Sequence, residues 1–126
     1  MAEYTEDRSC LTQFAMGEMF VKGESPRDHK LAAKWYTESA KQGYRKSQRR
    51  LGTMYAMGYG VPKNYIKSYA WFKISAVQRS HKALRNLRKV ESRMTDEQIY
   101  YAKKLAKQYY ETFVLPFTQS GDSKPN

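Results

Sequence analysis

Cysteine occurs once in this chain, at Cys10, so no intrachain disulfide can form, and one Cys with two His is too few for a structural metal site. Cys10 itself reads as a small apolar residue on a first helix. No stretch approaches the ~18 consecutive apolar residues of a membrane-spanning helix. The opening MAEYTEDRS is acidic and polar, unlike a secretory leader. The expected location is therefore cytoplasmic, with the periplasm or secretion as the alternative if a leader precedes this stretch. Carboxylates are scarce, 12 Asp/Glu against 23 Lys/Arg, and too scattered to suggest a general acid–base pair. His29 and His81 stand apart from any Ser, Cys or Asp pattern and read as surface histidines. Gly58-Tyr59-Gly60 has no strand signal before it and no Gly-Lys-Ser/Thr after it, so it is not a phosphate loop. The expectation is a protein that is not an enzyme and carries no cofactor and no metal.

What is present centres on Leu51 to Ala76, LGTMYAMGYGVPKNYIKSYAWFKISA. Leu51, Met54 and Tyr55 fall at i, i+3 and i+4, one apolar stripe of a helix. Gly58 and Gly60 allow positive φ at the following elbow, and Pro62 keeps the helix from running on. Asn64 is a good N-cap for a second helix, whose apolar face holds Ser68, Trp71, Phe72, Ser75 and Ala76. So small a hairpin needs a neighbour to cover its outer side.

The neighbour is an internal repeat. Met16 to Gly23 lies over Leu51 to Gly58 at an offset of 35, and Ala32 to Ala40 over Ser68 to Ala76 at an offset of 36. Trp35-Tyr36 thus matches Trp71-Phe72, and Ser39-Ala40 matches Ser75-Ala76. A period in the thirties with bulky and small residues in phase predicts stacked helical hairpins, with Trp35 and Trp71 as twin wedges.

These residues resemble a known family. L-G-x-x-Y-x-x-G-x-G-V followed by the Trp-aromatic and Ser-Ala pairs is similar to the Sel-one-like repeat, a relative of the tetratricopeptide repeat, over roughly residues 11 to 113. The run from Tyr69-Ala70-Trp71-Phe72 through Asn86-Leu87 to Met94-Thr95-Asp96-Glu97-Gln98 resembles the end of many short bacterial members. Two places depart from the pattern. The first elbow, Gly23-Glu24-Ser25-Pro26, lacks the second glycine and the valine, and Gln78-Arg79 replaces the Gln42-Gly43 that closes the first repeat. The resemblance implies an all-α, right-handed α-α superhelix (solenoid) of stacked antiparallel helix pairs, about six helices. It also implies a bacterial scaffold for protein contacts: an adaptor, a regulator, or an inhibitor or immunity-type partner.

In chain order the expectation is a flexible 1–8, a degenerate first repeat 9–43, a second repeat 44–79, a C-terminal helix pair 80–114 capping the stack, and a disordered tail 115–126. The first helix is expected to start near Asp7 or Ser9, with Leu11, Phe14, Ala15 and Met19 on its apolar side. Asp28 should cap the second helix. Thr95-Asp96-Glu97-Gln98 is a capping box that opens the sixth, which should stop before Pro116.

Charge points to a site. Residues 1–28 carry 3 Lys/Arg and 6 Asp/Glu, net −3, whereas residues 29–126 carry 20 and 6, net +14. Lys46 and Lys82 are 36 apart, as are Arg49 and Arg85, so each pair takes equivalent places on successive first helices and forms a rung of a cationic ladder. Arg45, Arg50, Arg88, Lys89 and Arg93 flank it, and Tyr59 at the elbow adds an aromatic anchor. First helices line the concave side of such stacks. The expected partner is an acidic protein or peptide, held by a monomer. Binding of nucleic acid or another polyanion through the same face is the alternative. A second surface is the sixth helix, where Tyr100, Tyr101 and Tyr110 interleave with Lys103, Lys104 and Lys107.

Overall fold

The computed structural model describes residues 2–122, with side chains from 9 to 118. Seven helices and no strand occur among the described residues: α1 Ala2–Val21, α2 Pro26–Ala40, α3 Arg45–Met57, α4 Tyr65–Ala76, α5 His81–Glu91, α6 Asp96–Phe113 and α7 Leu115–Asp122. α1 packs on α2 and α3 on α4, while α4 packs on both α5 and α6.

The helix starts follow local chemistry. The Asn64 side chain accepts from the Lys67 amide at 3.0 Å, and Ser80 caps α5 through the Ala83 amide at 3.2 Å. Thr95 and Gln98 exchange side-chain and backbone hydrogen bonds as a capping box. α2 differs from expectation: its cap is Ser25, not Asp28, because Pro26 pre-sets the first helical φ and Asp28 sits at the third position, accepting from Ser25 Oγ at 2.8 Å. α1 runs from Ala2 rather than from Asp7 or Ser9.

The repeat is visible as duplicated bonds. Ser39 Oγ donates to the Cys10 carbonyl at 2.7 Å, and 36 and 35 residues on, Ser75 Oγ donates to the Arg45 carbonyl at 2.8 Å. Gln42 reaches Gln13 at 2.6 Å, and Gln78 reaches Gln48 at 2.6 Å. A Cβ built on Gly17 would stand 2.6 Å from the ring of Tyr36, and one on Gly52 2.6 Å from the ring of Phe72. In each pair an aromatic ring packs against a bare turn of the first helix.

The expected twin wedges therefore need correcting: they are Tyr36 and Phe72, at 0% and 2% exposure. Trp71 is also buried, stacked against Phe113 at 5.4 Å and tilted against Tyr109 at 4.6 Å. Trp35 is only half-buried, beside Lys34, because α4 does not pack along α2 as α6 packs along α4. α4 is the helix both cores share. Its Trp71 and Ile74 join Ala33, Tyr36, Leu51 and Met54, while its Tyr69, Ala70 and Phe72 join Ala83, Leu87 and Ala102. The single apolar face expected for α4 is thus two faces, as a helix enclosed on several sides requires. On α1, by contrast, Phe14 packs inward while Leu11, Ala15 and Met19 stay exposed.

The turns after α2 and α4 have one shape although their sequences differ. Gly43 has φ 88° and Arg79, at the equivalent place, φ 70°. Gly58 closes α3 in the same left-handed conformation, donating to the Met54 carbonyl at 2.7 Å. The tail expected to be disordered from 115 is helical to Asp122, and residues 123–126 lie outside the described residues. Val114 is buried in the first core, and Phe117 packs beside Gly43. Pro116 does not disrupt α7, because its missing amide falls in the first turn.

Two substitutions check this account by chemical denaturation. Gly52→Ala drives a methyl into the Phe72 ring and is expected to destabilise by about 1–3 kcal/mol. Arg79→Gly relieves a left-handed arginine and is expected to stabilise by about 0.5–1 kcal/mol.

Candidate functional site

Between Ser39 and Val90 the chain contains 13 Lys/Arg and not one Asp or Glu. α3 and α5 carry most of this charge. With 3.6 residues per turn, Lys46, Arg49 and Thr53 share one stripe of α3, and Lys82, Arg85, Lys89 and Arg93 follow one stripe along α5 and its end. Lys46, Lys82, Arg85, Arg88 and Lys89 are exposed. Arg49 is half-buried, and its pKa is lowered by that burial and then by neighbouring Arg50. Arg45 turns away to α4, donating to the Gln78 carbonyl at 2.9 Å.

Arg50, expected on the flank of the ladder, is committed elsewhere. Its Nε and an Nη atom donate to the two oxygens of Glu18 at 2.7 and 3.0 Å, a bidentate pair joining α3 to α1. Tyr36 donates its hydroxyl to the same carboxylate. The Arg50 hydrogen bond holds Glu18 below the usual carboxylate pKa, and burial, followed by the Glu18 bond, pushes the Tyr36 phenol up. One carboxylate of α1 is thus gripped from two other helices, α2 and α3.

The sequence pattern missed this cluster, yet it carried a signal. At the repeat offsets, Glu18 corresponds to Thr53, Tyr36 to Phe72 and Arg50 to Asn86. Three linked polar groups, two in the first unit and one on the helix that follows it, become three uncharged ones at the equivalent places one repeat on. Where they change, an open groove of about 420 Å³ lies between α3, the start of α4 and α5. Phe72, Ala56 and Val90 form its apolar floor, Thr53 and Asn86 are on its wall, and Lys63, Lys89 and Arg93 surround it. Tyr65 also lines it, with Lys63 Nζ 5.0 Å above its ring. Lys63, aided by Arg93, lowers the Tyr65 pKa.

Tyr59 is exposed at the elbow and lies against His29, ring centres 5.2 Å apart. His29 is not the surface histidine expected, being half-buried with Nε2 3.1 Å from the Gly23 carbonyl. His81 is exposed. On α6, Tyr100 and Tyr101 are exposed and pack on each other at 5.3 Å. Tyr110 and Lys107 line a separate groove against α4. Among the described residues no cluster of three His, Cys, Asp or Glu could hold a metal, and no helix is long and apolar enough to cross a membrane.

Glu18 titrates lower in the folded chain than in the unfolded one. Its contribution to stability is therefore whole above the ordinary value of 4.5 and is lost as pH falls through the lowered value. Urea melts from neutral pH down to about pH 2 are expected to show this loss, and Glu18→Gln to reduce it. At neutral pH the same substitution is expected to cost about 1–3 kcal/mol, since it weakens charge-assisted bonds whose members are only about a third exposed.

No curated protein matches this chain in sequence. Among solved structures it is similar to c5321, a protective antigen of uropathogenic Escherichia coli strains displaying an SLR fold, with 27% identity and a TM-score of 0.82. The match covers 95% of this chain but 26% of that one, so the chain spans about a quarter of its relative's length. The Sel1 repeat profile matches residues 11–44 and 45–78, taking in both glutamine pairs and both ring-on-glycine contacts. With more than half its length so matched, the chain belongs to the Sel1 repeat family, whose members serve in general as protein–protein interaction modules.

Proposed function

We propose that this chain is a non-catalytic interaction module whose α3–α5 face binds an acidic segment of another protein. One observation carries the reading: a 52-residue stretch with 13 cations and no carboxylate, whose Lys46, Lys82 and Arg85 extend from neighbouring helices into solvent. A solvated helix face needs polarity but not charge of one sign. Uncompensated charge of this kind instead raises the local concentration of anions and speeds their association. The family's general role as a scaffold supports a protein as the partner. Arg88 and Lys89 extend the face, and Arg49 backs it. Arg45 and Arg50 serve the fold, the first at the end of α4 and the second on Glu18.

The test is a fluorescence titration with a labelled acidic peptide and, separately, with a random single-stranded oligonucleotide. Lys46→Glu, Lys82→Glu and Arg85→Glu together are expected to weaken peptide binding by at least about tenfold, with the melting temperature nearly unchanged. Arg49→Gln, made separately because that side chain is half-buried, is expected to weaken it less. Undiminished capture by the triple variant would refute the assignment of this face. Oligonucleotide binding tighter than peptide binding and falling steeply with salt would favour the polyanion reading instead.

A further inference from the structure

We propose that the groove between α3, the start of α4 and α5 is a seat for a partner's carboxylate side chain and the apolar residue beside it, an external counterpart of the seat the first unit fills with its own Glu18. The proposal rests on the reading of the α3–α5 face as the partner surface, and it names where on that face the acid goes.

The chain supplies its own comparison. The first unit places a carboxylate between α1, α2 and α3, held by Arg50 at 2.7 and 3.0 Å and by the Tyr36 hydroxyl. The second unit has the same scaffold, with Phe72 on Gly52 as Tyr36 is on Gly17. It has no acid to place there: Thr53 stands at the position of Glu18, and no Asp or Glu occurs on α3, on α4 or in the turn between them. The positive groups do not disappear with the acid. Lys63 comes from the elbow, and Lys89 and Arg93 lie one and two turns beyond Asn86 on the α5 side. Without an internal carboxylate these cations are uncompensated around about 420 Å³ of open space. The lowered Tyr65 pKa reports the same local excess of positive charge. The floor of Ala56, Phe72 and Val90 is apolar, and exposed Met57 forms one rim. That combination fits a side chain such as Leu next to Glu or Asp, the polar group fixing orientation and the apolar one filling volume.

Two variants of the full chain test it. The first, Lys63→Gln with Lys89→Gln and Arg93→Gln, removes the cations. The second, Thr53→Glu with Asn86→Arg, rebuilds the internal pair of the first unit inside the groove and plugs it. The probe is a fluorescein-labelled peptide in which Glu and Asp flank a single Leu, alongside its Gln/Asn twin. Both variants are expected to lose at least about tenfold in affinity for the acidic peptide, the change for one charge-assisted hydrogen bond. The plugged variant is expected to melt no lower than the parent, which separates occlusion from unfolding. The amide twin is expected to bind at least about tenfold more weakly to the parent. Unchanged binding by the plugged variant, or equal binding of the amide twin, would overturn the proposal. If both groove variants bind like the parent while the Lys46/Lys82/Arg85 triple variant does not, the seat is wrong and the broader reading of the face survives. If none of the three loses affinity, the broader reading fails as well. Displacement of the peptide by an equimolar single-stranded oligonucleotide would overturn a carboxylate seat in favour of a phosphate one.

Discussion

An aromatic ring packed against a glycine is the constraint from which the rest of this molecule follows. Gly17 and Gly52 leave one turn of α1 and of α3 without a side chain, and Tyr36 and Phe72 fill the gaps. The contact sets the separation and rotation of the two helices in each hairpin. Once that is set, Ser39 and Ser75 come within hydrogen-bond reach of a carbonyl on the first helix, and the paired glutamines meet alongside. These small polar groups are satisfied rather than stranded, as buried polar atoms must be. Fixed hairpins then stack through α4, which has an aromatic residue for each neighbouring core: Trp71 for the first and Phe72 for the second.

Where that geometry repeats but chemistry does not, the molecule differentiates. At the mouth of the first unit the tyrosine keeps its hydroxyl, a carboxylate stands opposite, and an arginine on the next helix closes the cluster. At the second, phenylalanine, threonine and asparagine replace them, and the cations move outward along α5 and into the elbow. Substitution at three equivalent positions, with a longer elbow between α3 and α4 than between α1 and α2, turns a satisfied contact into an open electropositive recess. Divergence between repeats is a simple physical route from scaffold to binding surface.

Much of the architecture was legible because it depends on local signals. The glycine elbow, the Asn64 cap and the Thr95–Gln98 box lie within a few residues of what they organise, and the repeat shows as the same local pattern written twice. What escaped depends on distance. Trp35 and Tyr36 are adjacent, hence about 100° apart around the helix, and which of them faces inward is decided by α1, through Gly17. Trp71 is buried as well because α6 happens to bring Tyr109 and Phe113 over it. Arg79 adopts the left-handed conformation of a glycine because the bonds around it hold the turn, not because arginine favours it. The exposure of Lys46, Lys82 and Arg85 agrees with their helical spacing, but the pairing of Arg50 with Glu18 could not be read, since 32 residues separate them. Lys63 and Tyr65 carry no periodic signal for a related reason: they enter the groove from an elbow and a helix start whose path periodicity does not describe.

The burial of Val114 has a further consequence for how such a molecule comes apart. A linear array of repeats frays from its ends, each unit touching only the next. Here the chain leaving α6 returns Val114 to the core that holds Tyr36 and Leu51, and Phe117 settles beside the turn at Gly43. The last pair of helices is thereby latched to the first two, and peeling it away would expose part of the first unit's interior too. Such a latch converts piecewise melting into a single concerted opening.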